Sequence, residues 1–350
     1  MVKFEISKGI FVGDGCPTFV IAELGINHQG NVDLAMRMIM EAKQCGADCV
    51  KFQKRTVERM LTKEGLNQPY NNANSFGDTY GEHKRKLELS FEEFRILKKC
   101  ADNIGVLFSA SGWDEESVDF LDTLGVPFFK MASADLTNHP LLEHTAKKGK
   151  PIIISTGMSD MKMVIEALNI VLNINPRIVV MQCTSSYPAP FEELNLNVID
   201  TYKKTFQHCV IGYSSHCLGI AIPFASVVIG AQVLESHFTL DRTMKGGDHA
   251  ASLEPDGFKK LVRDIRAFEK SRGSYIKSIT PSELGCIKKL RKSIVSAKKI
   301  MCGEVVTRDM LTVKGPGTGI CPSRITEIVG TIAGTDIEED TIITEKMLEC

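Results

Sequence analysis

Three absences narrow the classes of protein that this 350-residue sequence can encode. The eleven cysteines are odd in number and form no Cys-X-X-Cys pair, which argues against a disulfide framework or a zinc knuckle and favours reduced thiols. No apolar run approaches the roughly 18 residues of a membrane span, and the opening residues do not resemble a secretion signal. The formal net charge of −1 gives no bulk attraction to nucleic acid or membranes. We therefore predict a cytoplasmic protein that binds small molecules at local sites.

Short apolar runs alternate with amphipathic stretches eight times between Phe19 and Ser271. The runs predict strands at residues 19–24, 49–53, 106–110, 128–133, 151–156, 178–184, 210–215 and 233–238. The stretches between them carry apolar residues at three-and-four spacing, which is typical of helices. Eight such units predict an α/β fold, a (β/α)8 TIM barrel.

The two ends of the chain differ from this pattern. Residues 4–13 predict a small hairpin that plugs one end of the barrel. After Ser271 a polar linker leads to short β-like pieces rich in glycine. We predict a catalytic barrel domain over residues 1–280, including the hairpin, and a small β-rich domain over residues 281–350. A domain this small is marginally stable alone, so we expect it to dock onto a neighbour.

One connection, residues 54–89, is far longer than the usual loop. It carries the basic residues Lys54, Arg55, Lys84, Arg85 and Lys86. Loops of this length are usually lids or disordered segments, and the basic residues indicate an anionic ligand beneath. A solvated run of charges is the alternative interpretation.

Residues two apart on a strand share a face, so strand parity predicts which side chains line the barrel. One parity gives Glu23, Lys51, Gln53, Ser109, Ser111, Lys130, Ser155, Ser214, His216, Glu235 and His237. All of them lie toward the carboxyl ends of their strands, where TIM barrels hold their active sites. Polar side chains deeper in the barrel would be costly to bury.

Two histidines end consecutive strands, His216 on the seventh and His237 on the eighth. Glu23 lies on the first strand, which pairs with the eighth when a barrel closes. Two imidazoles suit a borderline divalent ion such as Mn²⁺, with water or substrate oxygen completing its shell. Each histidine alone is more often a structural residue, and the matching positions favour the metal. Asp248, on a glycine-rich loop, binds metal, water or substrate, or only forms a turn.

Lys51 and Lys130 lie on the second and fourth strands. The hydroxyl groups between them belong to Ser111, Ser133, Ser155 and Ser214. Two ammonium groups repel each other unless an anion joins them, so this ring predicts a small, multiply charged ligand such as a phosphorylated carboxylate. A lysine that forms a Schiff base is the alternative, and it requires one isolated, desolvated lysine.

Five motifs give the sequence a close resemblance to the sialic acid synthases. They are GINHQG (25–30), STGM (155–158), QCTSSYP (182–188), GYSSH (212–216) and HFTLDRTMKGGDHAASLEP (237–255). The resemblance covers essentially the whole chain, including a C-terminal antifreeze-like (SAF) domain similar to the type III fish antifreeze fold. GADCVKFQK (46–54) and GEHKRKLELS (81–90) resemble the animal members, which use N-acetylmannosamine 6-phosphate.

The resemblance implies an enzyme of sialic acid biosynthesis. It would condense phosphoenolpyruvate with the open-chain aldehyde of N-acetylmannosamine 6-phosphate, giving N-acetylneuraminate 9-phosphate and phosphate. His216 and His237 match positions that hold Mn²⁺ or Mg²⁺, which polarises the aldehyde, and Glu23 matches a catalytic carboxylate that handles protons. The phosphoenolpyruvate-binding positions match Lys51, Lys130, Ser111, Ser133, Ser155, Ser185 and Ser214. The sugar-binding positions match Gln53, Tyr187 and Asp248.

The family resemblance also implies a homodimer in which the SAF domain contacts the partner subunit. In bacterial relatives, an arginine in the segment that matches LTVKGPGTG (311–319) enters the partner's active site, and Gly315 occupies that place here. We therefore expect the SAF domain to close the site or order the dimer without contacting the sugar's acetamide group.

Several alternatives stay open at this point. The same condensation could use free N-acetylmannosamine or mannose 6-phosphate, and a non-catalytic binding protein is a remote possibility that the complete polar set argues against. If the sugar is phosphorylated, its 6-phosphate is neutralised by Lys54, Lys84, Arg85 or Lys245.

Overall fold

The computed structural model describes residues 1–349. Its contacts divide the chain into two compact units, Met1–Arg272 and Gly273–Cys350. The domain boundary predicted between residues 280 and 281 lies a little further along the chain and stays a prediction. Each unit has its own buried apolar cluster.

The first unit contains a closed barrel of eight parallel strands, which confirms the predicted TIM barrel. A hairpin of β1 (Lys3–Ser7) and β2 (Ile10–Gly13) precedes it. The barrel strands are β3 (Phe19–Gly25), β4 (Cys49–Lys54), β5 (Leu107–Gly112), β6 (Phe129–Met131), β7 (Ile152–Ser155), β8 (Ile178–Cys183), β9 (Val210–Ser215) and β10 (Val233–His237). They follow one another in chain order, and β10 pairs with β3 to close the barrel.

Helices surround the strands. They are α1 (Val32–Gln44), α2 (Val57–Met60), α3 (Lys63–Leu66), α4 (Tyr80–Leu87), α5 (Phe91–Ile104), α6 (Glu115–Leu124), α7 (His139–Ala146), α8 (Met161–Leu172), α9 (Val198–Thr205), α10 (Ala221–Val228) and α11 (Pro255–Ser271). Local signals fix their ends: Ser90 and Glu93 form a capping box at the start of α5, and Gly105 ends it with a φ of 69°. Because Gly105 terminates the helix in the left-handed region, β5 can begin two residues later and return to the barrel.

The amino end of the barrel is filled with apolar side chains. Ile6 and Val12 of the hairpin belong to the same buried cluster as strand residues such as Phe19, Phe128 and Val179. The rings of Phe19 and Phe128 meet edge to face with centroids 6.0 Å apart. The hairpin thus adds its apolar side chains to this end of the barrel, and the polar site must lie at the other end.

The long connection over residues 54–89 is folded, so of the two usual states of such loops it is not the disordered one, and the lid over an anionic ligand stays a prediction. It contains α2, α3 and α4. Ion pairs join the first residues of the connection to its last residues. Glu88 lies 2.6 Å from the Nζ of Lys54 and 3.2 Å from the Nε of Arg55. A partly buried carboxylate therefore ties the exit of β4 to the segment that leads into α5.

The second unit is small and rich in short strands. Its elements are α12 (Leu284–Leu290), β11 (Ser293–Ser296), β12 (Leu311–Lys314), α13 (Ile325–Ile328), β13 (Ile332–Ala333) and β14 (Leu348–Glu349). Ile294, Val306 and Ile343 are among the residues of its separate apolar cluster. Over residues 1–349, no helix has both the length and the apolar character needed to cross a membrane. The ten cysteines in that part of the chain are free thiols.

Candidate active site

Strand register brings the predicted polar residues to two adjacent rows at one end of the barrel. His237 on β10 pairs in register with Glu23 on β3, and Glu23 with Lys51 on β4. Lys51 in turn pairs with Ser109 on β5. In the next row toward the carboxyl end, Gln53 on β4 pairs with Ser111 on β5, and Ser111 with Lys130 on β6. Two adjacent rows of inward-facing polar side chains therefore meet at the carboxyl end.

A cavity of about 230 Å³ opens at this end of the barrel. Its lining consists of Glu23, Lys51, Gln53, Ser111, Trp113, Lys130, Ala132, Ser133, Ala134, Ser155, Met158, Cys183, Ser185, Tyr187, Ser214, His216, Glu235 and His237. The expected residues that do not line it are Asp248, Ser109 and the four basic candidates for the sugar phosphate, Lys54, Lys84, Arg85 and Lys245. The carboxylate of Asp248 lies at the edge, with Oδ2 3.6 Å from the Nδ1 of His237.

Two lysines and two carboxylates form what we call the charged floor of the cavity: Glu23, Lys51, Lys130 and Glu235. The Nζ of Lys51 lies 2.5 Å from Oε2 of Glu23. Oε1 of Glu235 lies 3.7 Å from Lys51 and 3.6 Å from Lys130. The anion that the two lysines require is thus already part of the protein, which corrects the argument that their convergence alone demands a charged ligand.

Burial and ion pairing shift the pKa values of the charged floor in opposite directions. Burial raises the pKa of Glu23 to about 7, against the opposing effect of Lys51. Burial acts in the same direction on Glu235, but Lys130 and Lys51 outweigh it and lower its pKa. For Lys51, burial lowers the pKa, and the two carboxylates outweigh this and raise it. A charged Lys51 argues against a Schiff base at this position.

Hydroxyl groups surround a small space above the floor. Lys51 donates to Oγ of Ser111 at 3.2 Å, while the buried Oγ of Ser155 has no partner within residues 1–349. The backbone N–H of Gly157 donates to Oγ of Ser133 at 3.0 Å. A Cβ atom on Gly157 would lie 2.2 Å from Oγ of Ser185, so only glycine leaves these hydroxyls room to converge. We call this group the hydroxyl cradle.

The two histidine rings lie side by side, with centroids 5.1 Å apart. Nδ1 of His216 is 2.7 Å from the carbonyl oxygen of Thr184. Because a carbonyl only accepts, Nδ1 carries a proton, and Nε2 is the ring nitrogen left for a metal ion when the ring is neutral. Burial lowers the pKa of His216, but Cys183 outweighs it and raises the pKa, so this ring must give up a proton when it binds a metal ion. Burial lowers the pKa of His237 to about 4, which keeps this ring neutral, as a metal ligand must be. The two rings therefore fit a divalent ion.

Such an ion would have an open coordination shell. Within residues 1–349, no group of three or more histidine, cysteine, aspartate or glutamate side chains is arranged to hold a metal. An ion held by two imidazoles, with water or substrate oxygen completing its shell, stays a prediction.

Comparisons with known proteins show the family of this chain. The model of the NeuB family matches residues 38–277, and the SAF domain model matches residues 291–349. The chain belongs to the NeuB family. The resemblance to sialic acid synthases is thereby confirmed.

Among the relatives of this NeuB-family chain is the human N-acetylneuraminate-9-phosphate synthase, which is 48% identical over 99% of this chain and 97% of the relative. The N,N'-diacetyllegionaminic acid synthase of Legionella pneumophila is 38% identical over 96% of both chains. A solved structure of the N-acetylneuraminic acid synthetase from Leptospira borgpetersenii, in complex with citrate, is 33% identical. It has a TM-score of 0.70 and covers 79% of this chain and 93% of that chain.

The residues expected to contact the sugar meet at the rim of the NeuB-family cavity. Gln53 donates to Oε1 of Glu23 at 3.2 Å. A Cβ atom on Gly25 would lie 3.0 Å from Glu23, 3.2 Å from Gln53 and 3.3 Å from Asp248, so the three side chains crowd around this glycine. The Tyr187 ring lies 4.2 Å from the ring of His216 and is 45% exposed, so it forms a wall open to solvent.

Six lining residues were missed as site candidates, and three of them, Trp113, Cys183 and Glu235, carry polar groups. Strand parity includes Glu235 in the barrel but does not indicate that its carboxylate pairs with both lysines. The same parity along β8 would have found Cys183, whose Sγ lies 3.7 Å from Nδ1 of His216. Burial raises the pKa of Cys183, but His216 outweighs it and lowers it to about 7. Trp113, the chain's one tryptophan, follows β5 directly, and its uniqueness was the available signal.

Proposed function

We propose that this chain condenses phosphoenolpyruvate with the open-chain aldehyde of N-acetylmannosamine 6-phosphate, giving N-acetylneuraminate 9-phosphate and inorganic phosphate. One observation carries the proposal: the rings of His216 and His237, the charged floor and the hydroxyl cradle lie in a single cavity. The 48% identity to a human protein named for that product supports it.

Phosphoenolpyruvate binds between the charged floor and the hydroxyl cradle. Lys51 and Lys130 offset its carboxylate and phosphate charges, and the unpartnered Oγ of Ser155 donates to one of its oxygens. Ser133 and Ser185 donate from the side of Gly157. The cradle thus holds the donor with its C3 facing the histidines.

His216 and His237 hold Mn²⁺ or Mg²⁺ in the same proposal. When bound, such an ion supplies Lewis acidity toward an aldehyde oxygen. The Thr184 carbonyl fixes the orientation of the His216 ring. Oδ2 of Asp248 lies 3.6 Å from His237 Nδ1, which is too long for a hydrogen bond, so this buried nitrogen has no hydrogen-bond partner within residues 1–349. Gln53 and Tyr187 position the sugar against these rings.

Glu23 manages the protons. With a pKa near 7, a large share of its side chains carries a proton at neutral pH. Glu23 gives this proton to the aldehyde oxygen as C3 of phosphoenolpyruvate bonds to the aldehyde carbon. Water then adds at C2 and returns a proton to Glu23. The C2–O bond to phosphate breaks, which leaves a ketone and releases phosphate with the hydroxyl proton.

We also propose that the enzyme works as a cytoplasmic homodimer in which the SAF domain contacts the partner subunit. The free thiols support a reducing compartment, and the family resemblance supports the dimer. Analytical ultracentrifugation of the full chain tests the oligomeric state, since a monomer at assay concentrations contradicts the dimer.

The deciding experiment measures phosphate release from phosphoenolpyruvate with three sugars: N-acetylmannosamine 6-phosphate, N-acetylmannosamine and mannose 6-phosphate. We expect the fastest release with the first, a product mass of N-acetylneuraminate 9-phosphate, loss of activity with a chelator and its return with Mn²⁺. Faster release with either other sugar would replace the substrate, and no release with any sugar would contradict the enzyme itself.

A further inference from the structure

A group of cations lies beside the cavity, above the charged floor. Arg55 follows β4 directly and donates from Nη2 to Oε1 of Gln53 at 2.7 Å. Gln53 lines the cavity and lies two residues beyond Lys51, which places it about 7 Å nearer the mouth at the rise of a strand. Arg55 is therefore connected to the sugar end of the site through one side chain.

Lys84 lies on α4 in the long connection, and Lys245 lies in the loop after β10. The N–H of Gly246 donates to Oδ1 of Asn74 at 3.3 Å, which joins the loop after β10 to the long connection. The Nζ of Lys84 lies 4.9 Å from the ring of Tyr80, and that of Lys245 lies 5.0 Å from the ring of Phe76. In the part of the chain that the structure describes, neither ammonium forms an ion pair within 4.0 Å.

The cations of this group lower the pKa values of their neighbours. Burial first, and Arg55 second, lower the pKa of Lys84 to about 8, and Asp248 opposes them. His83 is subject to the same groups: burial, Lys84 and Arg55 lower its pKa to about 4, and Lys245 adds to this. Asp248 and Glu88 are the acidic groups that face them, and Glu88 is already paired with Arg55 and Lys54. The cations thus exceed the carboxylates available to them.

Two of the four candidates from the sequence are removed by their contacts. The Nζ of Lys54 is bonded to Glu88 and lies 4.9 Å from the Phe91 ring, so it faces the helices. The Nε of Arg85 lies 2.8 Å from Glu58, and both side chains are exposed. Lys84 and Lys245 remain.

We propose that Lys84 and Lys245, with Arg55 beneath them, bind the 6-phosphate of the sugar and so determine the preference for a phosphorylated substrate. The assignment rests on the proposed function. An excess of cations without carboxylate partners is stabilised by a dianion, and the 6-phosphate is at the opposite end of the sugar from the aldehyde. Gln53, which contacts both Glu23 and Arg55, spans these two ends.

The test compares kcat/KM for N-acetylmannosamine 6-phosphate and for N-acetylmannosamine in Lys84→Met and Lys245→Met. We expect the ratio of the two constants to fall roughly tenfold or more in Lys84→Met, through KM for the phosphorylated sugar. Lys84→Arg should restore most of the ratio. Arg85→Gln, one residue along the same helix, is the matched control and should leave the ratio unchanged. Arg55 is unsuitable for the first test because it also holds Glu88.

An unchanged ratio in both methionine variants, or an equal fall in Arg85→Gln, would overturn the assignment even if the wild type releases phosphate from the phosphorylated sugar. Failure of the proposed function looks different, because the wild-type chain itself would then turn over neither sugar. A wild type that prefers the free sugar would overturn both.

Discussion

The two ends of the barrel are built from the same eight strands, yet they have opposite characters. At the amino end, Ile6 and Val12 of the hairpin join an apolar cluster that excludes water. At the carboxyl end, the same inward-facing positions carry two lysines, two carboxylates and two histidines. Since strand alternation is the same at both ends, the difference comes from residue type alone.

Stability and chemistry are therefore separated along the barrel axis. Apolar burial at one end stabilises the fold by about 25 cal/mol for each Å² removed from water. Charged groups at the other end are costly to bury and contribute little net stability even when paired. Burial at the apolar end therefore offsets the cost of burying the charged residues at the carboxyl end, whose role is in function.

The largest effect should follow from removal of a histidine at the polar end. His237→Ala is expected to lower phosphate release roughly a thousandfold, because the loss of one of two imidazoles removes the Lewis acid. Titration with Mn²⁺, followed by electron paramagnetic resonance, should show lost binding of the ion. His144→Gln, on α7 beside Asp119, is the control and should keep both properties. Full Mn²⁺ binding by His237→Ala would contradict the assigned metal site.

The second-largest effect should come from removing the carboxylate of Glu235, which both lysines share. Glu235→Gln leaves Lys130 without its buried partner, so the free energy of unfolding should fall by about 4 kcal/mol. Urea unfolding measures this change, and added phosphate should recover part of it by taking the place of the carboxylate. Glu192→Gln, at an exposed glutamate, should change stability by less than about 0.5 kcal/mol. A variant as stable as the wild type without phosphate would contradict the role of Glu235.

A change at the apolar end should affect stability alone. Ile6→Ala is expected to cost about 3 kcal/mol of unfolding free energy, because Ile6 is fully buried and leaves a cavity. Its kcat/KM should stay within about twofold of the wild type at a temperature where both are folded. A large loss of activity in the folded variant would break the separation of the two ends.

The smallest effect concerns pH. Glu23 has a pKa of about 7 in the folded chain against an ordinary value of 4.5. Between pH 4.5 and about 7, the folded chain therefore keeps a proton on Glu23 that the unfolded chain has lost. Stability should therefore fall as the pH rises from about 5 to about 7. Glu23→Gln removes this contribution, so urea unfolding should show the variant gaining on the wild type over that range. A constant difference would contradict the raised pKa.

The sequence allowed the barrel and most of its polar lining to be predicted, because both follow from periodicity. Two-residue alternation along the strands placed Lys51, Lys130 and Ser155 in the cavity without any knowledge of distances. Apolar spacing in stretches such as α1 and α8 gave the helices, and glycines such as Gly105 gave their ends.

The contacts among those residues could not be predicted in the same way. Whether Glu235 reaches both lysines depends on side-chain directions across three strands, and parity carries no such information. The helices of the connection over residues 54–89 were not predicted for a different reason. α2 and α3 have four residues each, which is too short to give a periodic pattern of apolar residues. Its basic residues therefore looked alike until contacts separated Lys84 from Arg85.

The charged floor has a further consequence for how the donor enters. Two ammonium groups and two carboxylates are close to electrical balance before any ligand arrives, so a phosphoenolpyruvate molecule brings an uncompensated negative charge with it. Glu23 is the floor residue whose ionisation lies nearest neutrality, and repulsion from the new anion favours its acid form. We expect association with the donor to draw a proton from the buffer, so the apparent heat of association should vary with the ionisation enthalpy of that buffer.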